Sequence, residues 1–150
     1  MARYLVGQAN STWKLKDVVN AAADGDIIEF VEGYSPSFGF ISLDKSLTFV
    51  GKIKMRENGK RTFMNTLKGH FVVRNGVSVV FQNLWISCGD ENNIISCKEK
   101  SNIQLIDTVI ESTQTEGKVY PIVYAENNVN ATYQVPCIAK GRVLTTFLLF

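Results

Sequence analysis

The feature that most constrains the fold of this chain is a repeat in its apolar alternation. Val77-Ser78-Val79-Val80-Phe81-Gln82-Asn83-Leu84-Trp85-Ile86 aligns without gaps on Ser101-Asn102-Ile103-Gln104-Leu105-Ile106-Asp107-Thr108-Val109-Ile110, at an offset of 24 residues. Apolar residues recur at every second position, the period of a strand that buries one face. A looser copy, Val129 to Tyr133, falls on Ile103 to Asp107 after a further 26 residues, and Leu47-Thr48-Phe49 falls on Val79 to Phe81 at an offset of 32. That longer interval carries Asn58-Gly59, a tight-turn pair. Asn83 and Asp107 occupy the same place in successive copies, where a short polar side chain can hydrogen-bond backbone at a bend between strands. A repeat made of two or three short strands implies stacking, each unit pairing with the next over a shared core. An antiparallel sandwich needs no such self-similarity. The expected fold is therefore all-β: a right-handed parallel β-helix (solenoid) of four to five coils over residues 26–150, within a single domain of residues 1–150.

One amphipathic helix is expected ahead of the strands, over residues 13–24. Leu15, Val18, Val19 and Ala22 recur at i, i+3, i+4 and i+7 and make one apolar face. Ser11 or Thr12 caps its start, and Asp24-Gly25 stops it. Such a helix would cover the N-terminal end of the stack.

The segment Asp24-Gly25-Asp26-Ile27-Ile28-Glu29-Phe30-Val31-Glu32-Gly33-Tyr34, followed by Lys45-Ser46-Leu47-Thr48-Phe49-Val50-Gly51, resembles the opening of pectinesterases and other pectin-lyase-like proteins. Phe81-Gln82-Asn83-Leu84-Trp85-Ile86 is similar to the recurring F-x-N-L-x-I strand pair of that superfamily. The resemblance covers residues 13–51 and, more loosely, 71–110. It implies a capping helix on a β-helix. It implies no particular activity, because that scaffold serves lyases, hydrolases, esterases and binding modules alike.

The residues point away from catalysis, and no catalytic residue, cofactor or metal ligand is assigned. Esterase chemistry of that superfamily would require paired Asp residues with Arg and Gln, hydrolysis a pair of spaced carboxylates, and elimination an acidic calcium cluster with a base. The close pair Asp24 and Asp26 belongs to the turn after the helix, and Asp90-Glu91 to a polar loop. His70 is the only histidine, and following Gly69 it reads as a turn or surface residue. A thiol nucleophile would need that imidazole beside it, and nothing in the sequence places His70 near Cys88, Cys97 or Cys137. Three cysteines without a CxxC pair suggest free thiols, and Met1 to Trp13 lacks a continuous apolar stretch, so the expected location is cytoplasmic. No run approaches the roughly 18 apolar residues of a membrane span.

Two surface features stand out. Lys52, Lys54, Arg56, Lys60, Arg61 and Lys68 crowd one short stretch against a single acid, Glu57, and form a candidate basic patch. With only Phe63 among them, base stacking is unsupported and nucleic acid is disfavoured as a partner. The last stretch, with Val143, Leu144, Phe147, Leu149 and Phe150, has no charge after Arg142. As an uncovered strand it would be an aggregation hazard, so it is expected to meet further chain, an adjoining domain or a second copy. The function expected from these residues is a non-catalytic recognition or scaffolding module that mediates protein interaction or oligomerisation. The alternatives are a carbohydrate-binding or carbohydrate-active protein, with Trp85 as the aromatic to examine, and an accessory domain of a larger enzyme or ATPase.

Overall fold

The computed structural model describes residues 1–9, 11–88, 93–112, 123–125, 130–134, 138–140 and 147–149; beyond Tyr124 it is the strand backbone alone. A six-stranded parallel sheet runs in the order β1 (Arg3–Val6), β2 (Ile27–Phe30), β4 (Thr48–Val50), β8 (Ser78–Gln82), β11 (Asn102–Ile106), β14 (Asn130–Gln134). A second parallel sheet, of eight strands, runs β15 (Ile138–Lys140), β12 (Val109–Ser112), β9 (Trp85–Cys88), β7 (Thr66–Val73), β10 (Ile95–Cys97), β13 (Val123–Ala125), β16 (Phe147–Leu149). Its eighth strand, β3 (Ser37–Leu43), branches off β7. β5 (Ile53–Met55) and β6 (Arg61–Phe63) form an antiparallel pair, and α1 (Leu15–Ala21) follows β1.

The repeat in the sequence becomes parallel register. Val79 pairs with Ile103 and Phe81 with Leu105, the offset of 24, while Phe49 pairs with Phe81 at the offset of 32. The third copy is displaced from its sequence alignment: Ile103 pairs with Ala131 and Leu105 with Tyr133, an offset of 28 where 26 was expected. A displacement of two residues keeps the same alternate positions on each face. The bends carry the expected polar residues in left-handed conformation, Asn83 at φ 58° and Asp107 at φ 45°, a region that short polar side chains tolerate best after glycine.

The expected right-handed β-helix of four to five coils is corrected by the strand connectivity. Among the described residues the chain is mostly β with one helix, its sheets are parallel and antiparallel, curving in part as half a barrel, and no regular solenoid is formed. The departure arises between residues 51 and 77. There Asn58-Gly59 closes the β5–β6 hairpin, and the eight-residue β7 spans two neighbouring positions. Thr66 to Lys68 pair with β9, whereas Phe71 to Val73 pair with both β3 and β10. One strand thus joins sets of strands that a regular stack would keep on separate faces.

The core lies between the two sheets. Ile28, Phe49, Phe81 and Leu105 form an in-register row on one sheet, and Ile41, Phe71, Ile95 and Val123 a row on the other; all are buried. Phe71 lies 5.8 Å from Phe49 and 5.0 Å from Phe81 between ring centroids, so the two rows interlock through aromatic contact. Each fully buried phenylalanine contributes about 1.5–3 kcal/mol of transfer free energy, and the tilted ring geometry adds to it.

Polar side chains tie the turns. The helix starts later than expected, after Lys14, whose backbone N–H donates to Asp17 Oδ2 at 2.8 Å. Lys45 Nζ donates to the carbonyls of Val19, Asn20 and Ala22 at 2.7, 3.1 and 2.6 Å, covering acceptors that the helix end leaves open. Asp24 Oδ1 accepts from Ser46 N–H. Asp26 accepts from Ala2 N–H at 2.8 Å and Ala23 N–H at 2.7 Å. These two backbone bonds, Ala2 foremost, hold its carboxyl below the usual carboxylate range; the N-terminal ammonium and Lys45 act the same way, and burial opposes them.

Candidate functional site

α1 and β3 line an open groove. The helix turns Leu15, Val18, Val19 and Ala22 inward, and Leu15 N–H donates to Tyr34 Oη at 3.3 Å. That bond and the stacking of Tyr34 on Phe30 set the helix start against the turn that leads into β3. The resulting space of about 510 Å³ is lined from the helix side by Lys14, Leu15, Lys16 and Asp17, and from the strand side by Tyr34, Pro36, Ser37 and Phe38. An adjoining space of about 210 Å³ shares Lys16 and continues along Phe40, Ile41 and Ser42. The groove therefore follows β3 for most of its length.

Three properties of this groove bear on recognition. β3 pairs with β7 along one edge, and among the described residues no strand pairs with its opposite edge, which leaves alternate backbone groups able to bond an added strand. Phe40 on β3 is 56% exposed, and Phe38 and Tyr34 extend the apolar wall. The charge is basic: Lys14 and Lys16 have no carboxylate partner among the described residues, whereas the one acid, Asp17, is bonded to Lys14 N–H.

A second constellation lies beneath Phe40. His70, expected at a turn or on the surface, stands within β7 and is only 2% exposed. Its Nδ1 lies 2.7 Å from the carbonyl oxygen of Asn93, and its Nε2 lies 3.2 Å from Cys88 Sγ on β9. Phe40 stacks on the imidazole with centroids 4.7 Å apart. The pairing of β7 with β9 brings the thiol and imidazole together across 18 residues of sequence. The repeat gave no sign of it, because β7 lies in the irregular interval between copies. Neither Cys88 nor Cys97 is held in a disulfide.

The sequence-derived candidates are distributed differently from expectation. Lys52, Lys54, Arg56, Lys60 and Arg61 gather on the β5–β6 hairpin and its flanks, while Lys68 stands on β7 in the other sheet. Within that patch Lys54 pairs with Glu32 and Arg61 with Asp107, and Arg56 Nε donates to Thr62 Oγ1. Phe147 and Leu149 belong to β16, the terminal strand of the eight-stranded sheet, paired with β13. Val143, Leu144, Phe150 and Asp90 lie outside the described residues. Trp85 is half-buried and meets Phe63 edge to face at 5.7 Å, so among the described residues it belongs to no exposed aromatic row. Among the described residues no helix is long and apolar enough to cross a membrane. No protein family, curated protein or solved structure matches this chain.

Proposed function

We propose that this chain is a non-catalytic recognition module that holds an extended, acidic segment of a partner protein along the free edge of β3. The observation that carries this reading is the groove between α1 and β3, where among the described residues one edge of β3 has no strand partner and Lys14 and Lys16 have no carboxylate partner. Strand addition to a sheet edge draws affinity from main-chain hydrogen bonds and selectivity from alternate side chains. Seven residues of β3 would accommodate a segment about 23 Å long. Phe38 and Phe40 would meet apolar side chains of the incoming strand, and Lys14 and Lys16 would select acidic ones. The non-catalytic part of the reading is supported by the structural employment of acidic side chains: Asp24 and Asp26 cap backbone amides, and Asp107 bonds Arg61 at a bend.

The test is fluorescence anisotropy with two synthetic eight-residue probes, one alternating Glu and Val and one alternating Lys and Val. The acidic probe should bind saturably, and the basic probe should not. Lys14→Glu combined with Lys16→Glu should abolish binding while leaving the circular dichroism spectrum unchanged. Equal binding of both probes, or undiminished binding by the double variant, would overturn the assignment. β16, a sheet-terminal strand, gives a second reading in which two copies associate; Phe147→Lys with Leu149→Lys should then convert a dimer to a monomer in light scattering.

A further inference from the structure

The geometry points to Cys88 as a site of reversible S-thiolation, with His70 as the base that frees its thiol. A carbonyl oxygen can only accept, so the 2.7 Å contact with Asn93 O requires the proton of the neutral imidazole on Nδ1. Nε2 is then a lone-pair acceptor, and it faces Cys88 Sγ at 3.2 Å, within reach of the S–H. A nucleophile, a base, and a third group that fixes the tautomer of the base are thus aligned on β9, β7 and the residue before Ile94. Cys97 makes the contrast: it is fully buried in the core, whereas Cys88 is only partly covered. Phe40, stacked over the ring, keeps the imidazole from rotating and shields one of its faces from water.

The co-reactant is a low-molecular-weight disulfide such as glutathione disulfide. Nε2 takes the Cys88 proton, and the thiolate sulfur attacks one sulfur of the disulfide. A new S–S bond forms to Cys88 as the original S–S bond breaks. The departing thiolate takes up the proton that Nε2 received, so one small thiol is released for each Cys88 oxidised to a mixed disulfide. A reducing thiol reverses the sequence. This chemistry is modification, not turnover, and it is independent of the groove reading.

The experiment incubates the intact chain with glutathione disulfide and maps adducts by peptide mass spectrometry. The control is a synthetic peptide of residues 84–94, which carries Cys88 without His70. Cys88 in the folded chain is expected to react about tenfold faster than in the peptide or more, ahead of Cys97. His70→Ala should lose that advantage, and added imidazole should restore part of it, a response that a merely structural histidine would not give. A folded-chain rate at or below that of the peptide would overturn the proposal, as would an undiminished rate in His70→Ala. Should the variant fail to fold, the comparison of intact chain with peptide decides alone.

Discussion

Asn65 offers the sharpest stability test, because one fully buried amide closes three separate segments. Its Nδ2 donates to the carbonyls of Val31 and Tyr34, and its Oδ1 accepts from Lys52 N–H, each at 2.8 Å. Asn65→Ala removes all three bonds. At about 1 kcal/mol net per bond the loss comes to about 3 kcal/mol. The Lys52 N–H and Tyr34 carbonyl are then left to find other partners, which pushes the figure upward, whereas Val31 O still accepts from Tyr34 N–H and loses less. Urea unfolding followed by circular dichroism should show the midpoint falling by roughly 1–3 M with little change of slope. Asn65→Asp should cost at least as much near neutrality, since an anionic oxygen would face two carbonyls, and should recover partly in acid, where the protonated carboxyl donates once. A loss below about 1 kcal/mol for Asn65→Ala would refute the reasoning that these bonds hold the turn, the hairpin and β7 together.

Three further outcomes follow from the turns and caps. Lys45→Met should destabilise by about 1–2 kcal/mol, because three carbonyls at the end of α1 lose their ammonium donor; differential scanning calorimetry reads it. Lys100→Gly should stabilise by about 0.5–1 kcal/mol in the same assay, because Lys100 is exposed at φ 61° with Glu99 at φ 55°, where the preceding copy has Asn75-Gly76. Asp26 binds protons less readily folded than unfolded, so its contribution is complete above the ordinary carboxylate range and disappears as pH falls through the depressed folded value. The stability gap between the natural chain and Asp26→Asn should therefore narrow below about pH 4 in pH-dependent thermal melts.

What could be read from the sequence was what repeats or alternates. The helix face Leu15/Val18/Val19/Ala22, the register of β8 on β11 and the β5–β6 turn all follow from periods or turn chemistry. β1 leaves almost no alternation in the sequence, because Arg3-Tyr4-Leu5-Val6 buries only Val6 at the end of a sheet. The first half of β7 has no legible alternation, because Lys68, Gly69 and His70 interrupt the apolar pattern; pairing with three strands imposes the extended backbone there. That same long strand defeats the regular solenoid and carries His70 to Cys88. Asn65 gave no signal either, since its carbonyl partners are 31 and 34 residues away. The α1–β3 groove depends on how the helix is held against the sheet by Tyr34 and Lys45, a tertiary matter that no local pattern encodes.

The most direct test of recognition at β3 is hydrogen exchange of the chain with and without the alternating Glu-Val peptide. Slowed exchange across residues 37–43, with β8 and β11 unchanged, is the expected result. A bound peptide that leaves β3 unprotected, or that protects the β5–β6 hairpin instead, would contradict it.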